Sequence, residues 1–341
     1  MKRIYLYPKS GREKAEANNP FVQNLQQSLS DHFKIVNEEL NYIGVLNFYK
    51  YFFKTDLYFF NWIEALALKK YGKFQAILFF LFLFLAKLSG KGIIWIMHNK
   101  YVHDKTHGRK NNPWTRRLFH RMIRSSDLII TLSQAGVEFV NKDFPRYSHK
   151  VRYLIHPVQE PFERKDEKEK PFDLFIWGAI HPYKGLLEFL KFIRESKLSY
   201  NILIAGKCND SAYKEELQGY LDSNISFHDE FLEMKKIAEY SSQSRYTLFT
   251  YNSDSVLSSG SLMDSIRMGS SIIGPKKGAF LDLEPYSFIQ TFENYKDIID
   301  ILKLSKSDAE KENLEIREFC DQNTWQKFIG KVEKEMPDKI K

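Results

Sequence analysis

Short apolar runs alternate with helical patterns in two successive series along this chain, and that rhythm limits what the chain can fold into. Arg3–Tyr7, Lys34–Glu38, Asp56–Trp62, Gly92–His98, Asp127–Ser133 and Val151–Ile155 read as strands. A helix is expected over Pro20–His32, with helical stretches between most of the other strands. Strands that are apolar on both faces belong in a parallel sheet covered by helices on both sides. A second series starts at Phe172, with strands at Asn201–Ala205, Ile225–Phe227, Arg245–Thr250 and Ser271–Ile273. Its helices are read over Ala212–Leu221, Glu233–Tyr240, Leu262–Met268 and Tyr295–Leu304. Between the two series, Glu160–Pro171 (EPFERKDEKEKP) has almost no apolar residue and reads as a linker. The 341 residues, 43% of them hydrophobic, suffice for two cores. We therefore expect an α/β chain with two Rossmann-like domains, 1–158 and 172–315, joined by a linker over 159–171. The ligand crevice is expected where the carboxyl ends of their strands face each other. A last helix over 316–341, part of the amphipathic stretch Ala309–Met336, is a candidate to cross back to the first domain.

Two cysteines, Cys208 and Cys320, give neither a disulfide framework nor metal spacing, which fits a reducing compartment. The opening MKRIYLYPKSG lacks the apolar core of a secretory signal, so a cytoplasmic location is expected. The longest apolar run, Ala76–Ala86 (AILFFLFLFLA), has 11 residues, short of the roughly 20 that cross a bilayer. It is read either as a helix buried on a sheet or as one whose exposed flank dips into lipid. Through residue 155, 25 Lys and Arg stand against 11 Asp and Glu, a net of +14 in a chain whose total is +8, so the remainder carries −6. A basic first half attracts anionic lipid, nucleic acid or a phosphorylated substrate, and sign alone does not choose among them.

Two loops carry chemistry. Phe172–Ser196 (FDLFIWGAIHPYKGLLEFLKFIRES) reads as strand, tight loop and helix, with Gly178 at the strand end, His181 and Lys184 in the loop and Gly185 at the helix start. A cationic amine and an imidazole beside unpaired helix N–H groups attract phosphate; the plain alternative is an ordinary turn with a solvated lysine. The segment from Tyr251 to Gly274 (YNSDSVLSSGSLMDSIRMGSSIIG) opens a helix with Ser258, Ser259, Gly260 and Ser261, again suited to phosphate or to simple capping. One turn later Asp264 is placed to accept hydrogen bonds from a ribose diol. The irregular spacing of His98, His103 and His107 matches no metal signature, Asp254 and Asp264 form no Asp-x-Asp pair, and no metal is expected.

These residues resemble the two-Rossmann-domain nucleotide-sugar glycosyltransferases called GT-B, in particular the family 4-like enzymes of bacterial surface-polysaccharide assembly. GAIHPYKG (Gly178–Gly185) is similar to the family's GxIxPYKG segment, and SSGSLMDSIRMGSSII (Ser258–Ile273) to its SGSLxxAxxxGxPVI segment. WIMHNKYVHD (Trp95–Asp104) resembles WTVHNxxPHE, NPFVQNL (Asn19–Leu25) resembles NPYxxxL, and DLYFFNWIE (Asp56–Glu64) resembles DIVHIHWPE. The resemblance implies that Lys184 and His181 hold the donor diphosphate, with Gly178 and Tyr251 at the same site, and that Ser259, Gly260 and Ser261 line the phosphates. Asp264 stands where retaining members place the ribose-binding Glu of an E-x7-E pair, and His98 near the transferred sugar. No cofactor is implied, and the donor's base, UDP or GDP, is not fixed.

The chain departs from the family at Val256, where the first Glu of that pair is missing, and at His181, where an arginine is frequent. Stereochemistry is therefore left open. A retaining reaction needs no protein base, whereas an inverting one needs a carboxylate or imidazole at the acceptor hydroxyl. His98, Asp104 and Glu64 are the candidates for that role, each with a structural alternative: a strand-end cap, an ion pair with Lys105 or Arg109, and a solvated helix-start residue. The reading is a cytoplasmic hexosyltransferase, peripheral at the inner membrane face, that passes a sugar to a saccharide or lipid-linked acceptor held by the basic first domain. The aromatic and basic run Asn47–Lys54 (NFYKYFFK) suits that membrane surface. The alternatives are a non-enzymatic basic binding protein and a nucleotide-sugar epimerase. Nucleic acid is not the expected partner, because it gives no reason for two phosphate-suited turns in the acidic half.

Overall fold

The computed structural model describes residues 1–9, 19–39, 44–100, 112–162, 169–253, 257–304 and 309–341. The chain divides into two compact units, one formed by Met1–His156, Ser255–Ser258 and Trp325–Lys341 and the other by Pro157–Asp254 and Ser259–Thr324. In the first unit β1 (Arg3–Tyr7), α1 (Pro20–His32), β2 (Lys34–Ile35), α2 (Gly44–Lys50), β3 (Leu57–Asn61) and α3 (Gly72–Leu88) are followed by β4 (Gly92–Met97), α4 (Pro113–Ser125), β5 (Leu128–Thr131), α5 (Gln134–Asp143) and β6 (Val151–Tyr153). The six strands make one parallel sheet in the order β2-β1-β3-β4-β5-β6. Every residue of β3 and β4 is buried, as expected of central strands covered on both faces. α1 and α4 start alike. Asn19 Oδ1 accepts from Phe21 N and Asn112 Oδ1 from Trp114 N, both at 3.0 Å, and each cap is followed by a proline whose missing N–H has no partner to lose.

The second unit holds β7 (Phe172–Trp177), α6 (Leu186–Glu195), β8 (Ile202–Ala205), α7 (Ser211–Gln218), β9 (Ile225–His228), α8 (Met234–Ser242), β10 (Ser244–Leu248), α9 (Gly260–Arg267), β11 (Ile272–Pro275), α10 (Gly278–Asp282), β12 (Ile289–Phe292), α11 (Tyr295–Leu304) and α12 (Ala309–Gln322). Its parallel sheet runs β12-β11-β10-β7-β8-β9. Two elements escape the sequence reading. β12 is an edge strand with Gln290 exposed, so its four residues lack an apolar run, and α10 is a single short turn. The closing amphipathic stretch is also two helices, α12 and α13 (Trp325–Glu335), broken at Asn323 and Thr324.

α13 packs on α1. Trp325, Phe328, Ile329 and Val332 join Phe21, Leu25 and Leu29 to cover one face of the first sheet. The other face is covered by α2 to α5 around an aromatic cluster of Tyr5, Phe48, Tyr58, Phe60, Phe79 and Phe82. Glu64 lies in this interior at 3% exposure, and its Oε2 has no hydrogen-bond partner among the described residues. Burial pushes its carboxyl up to about 7, with its own backbone and the Trp95 indole acting weakly the other way. A raised carboxyl pKa gives stability that is complete below the unfolded value of about 4.5 and lost as pH rises through about 7. Glu64→Gln is therefore expected to raise the thermal midpoint relative to the natural chain at pH 8, by the equivalent of about 3 kcal/mol, and to leave it unchanged near pH 4. An equal midpoint at pH 8 would show that the carboxyl is not strained there.

Candidate functional site

The loop from Gly178 to Gly185 and the Ser259–Ser261 turn lie in the second unit, after the neighbouring strands β7 and β10, at whose carboxyl ends the strand order reverses and open α/β sheets bind ligands. After β7 the chain turns at Gly178, passes His181, makes one 3-10 turn over Pro182–Lys184 and enters α6 through Gly185. Gly185 has φ 70°, and a Cβ there would meet Thr250 O at 2.2 Å and Asn252 Oδ1 at 2.4 Å, so both the backbone angle and the available space require glycine. Two hydrogen bonds fix that approach: Thr250 Oγ1 donates to Lys184 O at 2.5 Å, and Asn252 N donates to Tyr183 O at 3.2 Å.

Lys184 and Ser261 both approach the bare side of Gly178. The Lys184 Nζ and the Ser261 Oγ lie 3.2 and 3.3 Å from the point a Gly178 Cβ would occupy. The ammonium is 5.7 Å from the centre of the buried Tyr251 ring, whose hydroxyl is 3.0 Å from Ser259 Oγ. Lys184 has no carboxylate within ion-pair distance among the described residues, and burial pushes its amine down to about 8. At the start of α9, Leu262 N and Met263 N donate to Ser259 O at 3.1 and 3.3 Å. The amides of Gly260 and Ser261 thus precede the helical ladder, and a Cβ on Gly260 would meet nothing within 4 Å. Trp177 Nε1 donates to the buried Ser265 Oγ at 2.9 Å and locks α9 to β7. The arrangement offers an anion one ammonium, one hydroxyl and two helix-start amides.

Asp264 is one turn further on, and its Oδ1 accepts from Arg267 Nε at 2.8 Å. Burial raises its pKa while Arg267 lowers it. Arg267 escaped the sequence reading, although its spacing of three from Asp264 is the usual one for a helical ion pair. Its guanidinium also lies 4.3 Å from the centre of the Phe162 ring. His181 stacks on Tyr183 at 5.7 Å and 17°. Ser258 groups with the first unit, and its buried hydroxyl has no partner among the described residues. A depression of ≈ 630 Å³ beside the loops is lined by Thr250, Tyr251, Asn252, Lys277 and Tyr295 among others.

In the first unit His98 follows β4. Its ring stacks on Trp62 at 3.9 Å and 16°, with Phe21 edge-on at 4.7 Å. His98 Nε2 is 3.0 Å from Asn61 Oδ1, and Asn61 Nδ2 donates to Tyr7 O at 3.4 Å, which turns the amide oxygen toward the imidazole. With Asn61 Oδ1 accepting, Nε2 carries the proton and Nδ1 is the remaining acceptor. Burial, reinforced by His156, holds its pKa well below the usual value, so the ring is neutral at pH 7. Glu64 is interior, as described above. Asp104, His103, His107, Asp254 and Val256 lie outside the described residues. Among the described residues no group of three or more His, Cys, Asp or Glu is placed to hold a metal ion.

No protein-family model matches the sequence, and no curated protein matches it. Several solved structures match over nearly their whole length. HepE (Alr3699) of Anabaena, in its complex with UDP-glucose, superposes with a TM-score of 0.65 at 11% identity over 98% of this chain and 100% of that one. A glycosyltransferase from Rickettsia africae ESF-5 gives 0.65 at 10% identity, covering 100% and 99%. AviGT4, a glycosyltransferase involved in avilamycin A biosynthesis, gives 0.59 at 12% identity over 98% and 97%. At these identities the likeness is one of fold: two parallel six-stranded α/β sheets in tandem, as in GT-B glycosyltransferases.

Proposed function

We propose that the chain is a nucleotide-sugar-dependent glycosyltransferase that binds the donor diphosphate on its second unit. The observation that carries this reading is the approach of both the Lys184 ammonium and the Ser261 hydroxyl to the bare side of Gly178, in the same unit as the open amides of α9. The whole-length match to HepE, solved with UDP-glucose, supports the same donor class. His181, Ser259 and Gly260 complete the phosphate contacts, and the free edge of the Asp264 carboxylate takes the ribose. In the reaction an acceptor hydroxyl attacks the anomeric carbon and the bond to the diphosphate breaks. Lys184 and the helix-start amides offset the charge that grows on the leaving group, so no metal is needed. His98 Nδ1, neutral and directed by Asn61, is the base at the acceptor hydroxyl if the reaction inverts. The acceptor is a saccharide carried on a lipid diphosphate, and the product a hexose linkage of a capsular, exopolysaccharide or O-antigen chain. The excess of 14 positive charges through residue 155 suits such an acceptor.

Thermal unfolding against UDP, GDP and their sugar conjugates tests the donor site, because a ligand of the native state raises the midpoint by mass action. One nucleoside diphosphate is expected to raise it, and Lys184→Ala to abolish the rise while lifting the ligand-free midpoint at pH 7, because it removes a cation that burial penalises; a rise that survives the exchange would remove Lys184 from the site. Since burial pushes the amine down to about 8, affinity is expected to fall as pH rises through that value, and Lys184→Arg to flatten the profile.

Transfer activity separates the remaining roles. His98→Ala is expected to lower turnover about 100-fold with the nucleotide-induced thermal shift intact. Chelation with EDTA is expected to leave transfer unchanged, and a loss restored by Mg2+ or Mn2+ would overturn the metal-free reading.

A further inference from the structure

Helix α3 presents a surface that the other described residues of the first unit leave bare. Residues 76–86 contain no polar side chain, yet in that run only Ala76, Phe79, Phe82, Leu83 and Ala86 are buried. Phe74, Ile77, Leu81, Phe84 and Leu88 are 47% to 75% exposed, and their spacing of three and four lines up one side of the helix. Phe53 extends the patch at 87% exposure, anchored through Phe52, which packs edge-on to Phe53 and to the buried Phe82. A helix apolar all round is ordinarily enclosed by protein or lipid, and here only half of it is enclosed by protein.

The rim of this face is basic. Residues 44–100 and 112–125, which hold α2, α3 and α4, contain 12 Lys and Arg and only two acids. Asp56 is bonded to Arg3 at 2.6 Å, and Glu64 is buried. Lys54, Lys70, Lys73, Arg116 and Arg117 are exposed.

We propose that the exposed side of α3 docks the protein on an anionic membrane, its five apolar side chains entering the acyl boundary while the surrounding Lys and Arg engage headgroup phosphates. α3 lies along the surface rather than across it: its other side belongs to the core, and no helix among the described residues is long and apolar enough to cross a membrane. Charge selects lipid over a second copy of this chain, since pairing two such faces sets one basic rim against another, and the one partly exposed acid of these stretches, Asp56, is already paired with Arg3. The inference rests on the first unit alone and holds whether or not the donor reading does.

Flotation of the full chain with vesicles of phosphatidylglycerol and phosphatidylcholine, and with vesicles of phosphatidylcholine alone, tests it. The natural chain is expected to bind the mixed vesicles and to release in high salt. The triple exchange Ile77→Gln, Leu81→Gln, Phe84→Gln is expected to weaken binding about tenfold or more while keeping the natural thermal midpoint, because these side chains are exposed. Lys54→Glu with Lys70→Glu is expected to weaken binding to the mixed vesicles only, and Lys184→Ala to bind them as the natural chain does. Natural binding by a folded triple variant would overturn the proposal, as would a lipid-free dimer that the triple exchange converts to monomer.

Discussion

The geometry of the second unit depends on how closely two loops approach at the end of its sheet. Gly185 lets the backbone after β7 lie against Thr250 and Asn252, and the bonds from Thr250 Oγ1 to Lys184 O and from Asn252 N to Tyr183 O hold it there. A β-carbon at that point would push the turn away from β10 and carry Lys184 with it. The indole of Trp177, bonded to Ser265 in the second half of α9, fixes the third part by holding that helix to the end of β7. The ammonium, the hydroxyl and the helix-start amides are thus arranged before any ligand arrives, and preorganised charge of this kind costs no rearrangement when negative charge appears.

Preorganisation is maintained against electrostatic strain. A lysine pushed down to about 8 by burial alone is a cation held without its counter-charge, and a bound anion would relieve that cost. His98 shows the converse in the first unit: burial keeps its ring neutral, and the Asn61 amide, itself held by Tyr7 O, orients it. Strongly shifted titrating groups gather where chemistry is done, but interior groups also shift. Glu64 illustrates the difference, since it is shifted by enclosure in an aromatic core.

Much of this was legible in the sequence, for definite reasons. Parallel strands buried on both faces leave unbroken apolar runs, so the two sheets and their order along the chain could be read directly. Gly185, Lys184 and the Ser-Ser-Gly-Ser turn announce themselves because turns and anion-suited helix starts use few residue types. What could not be read depends on contacts distant in sequence or on depth of burial. Glu64 reads either as a base at the acceptor or as a solvated helix-start residue, and its burial is not visible in the sequence because it comes from the 3-10 turn after β3 pointing inward. The Trp177–Ser265 bond spans 88 residues and leaves no local trace. β12 was missed because edge strands need no apolar alternation. The run over Ala76–Ala86 identified a helix but not that one flank would remain uncovered, since composition does not say which neighbours arrive.

The first unit's sheet draws one of its two covers from Trp325–Lys341. These residues leave the ribosome only after the whole of the second unit has been made. Until they do, α1 is the one helix among the described residues of the preceding part of the first unit that covers the face carrying Ile4, Leu6, Phe59, Ile94 and Ile130. The N-terminal unit is therefore the second to be completed during synthesis, reversing the usual order in which domains mature as they emerge. A nascent chain of this protein carries an apolar β-sheet face that is only partly covered for the time needed to translate an entire domain.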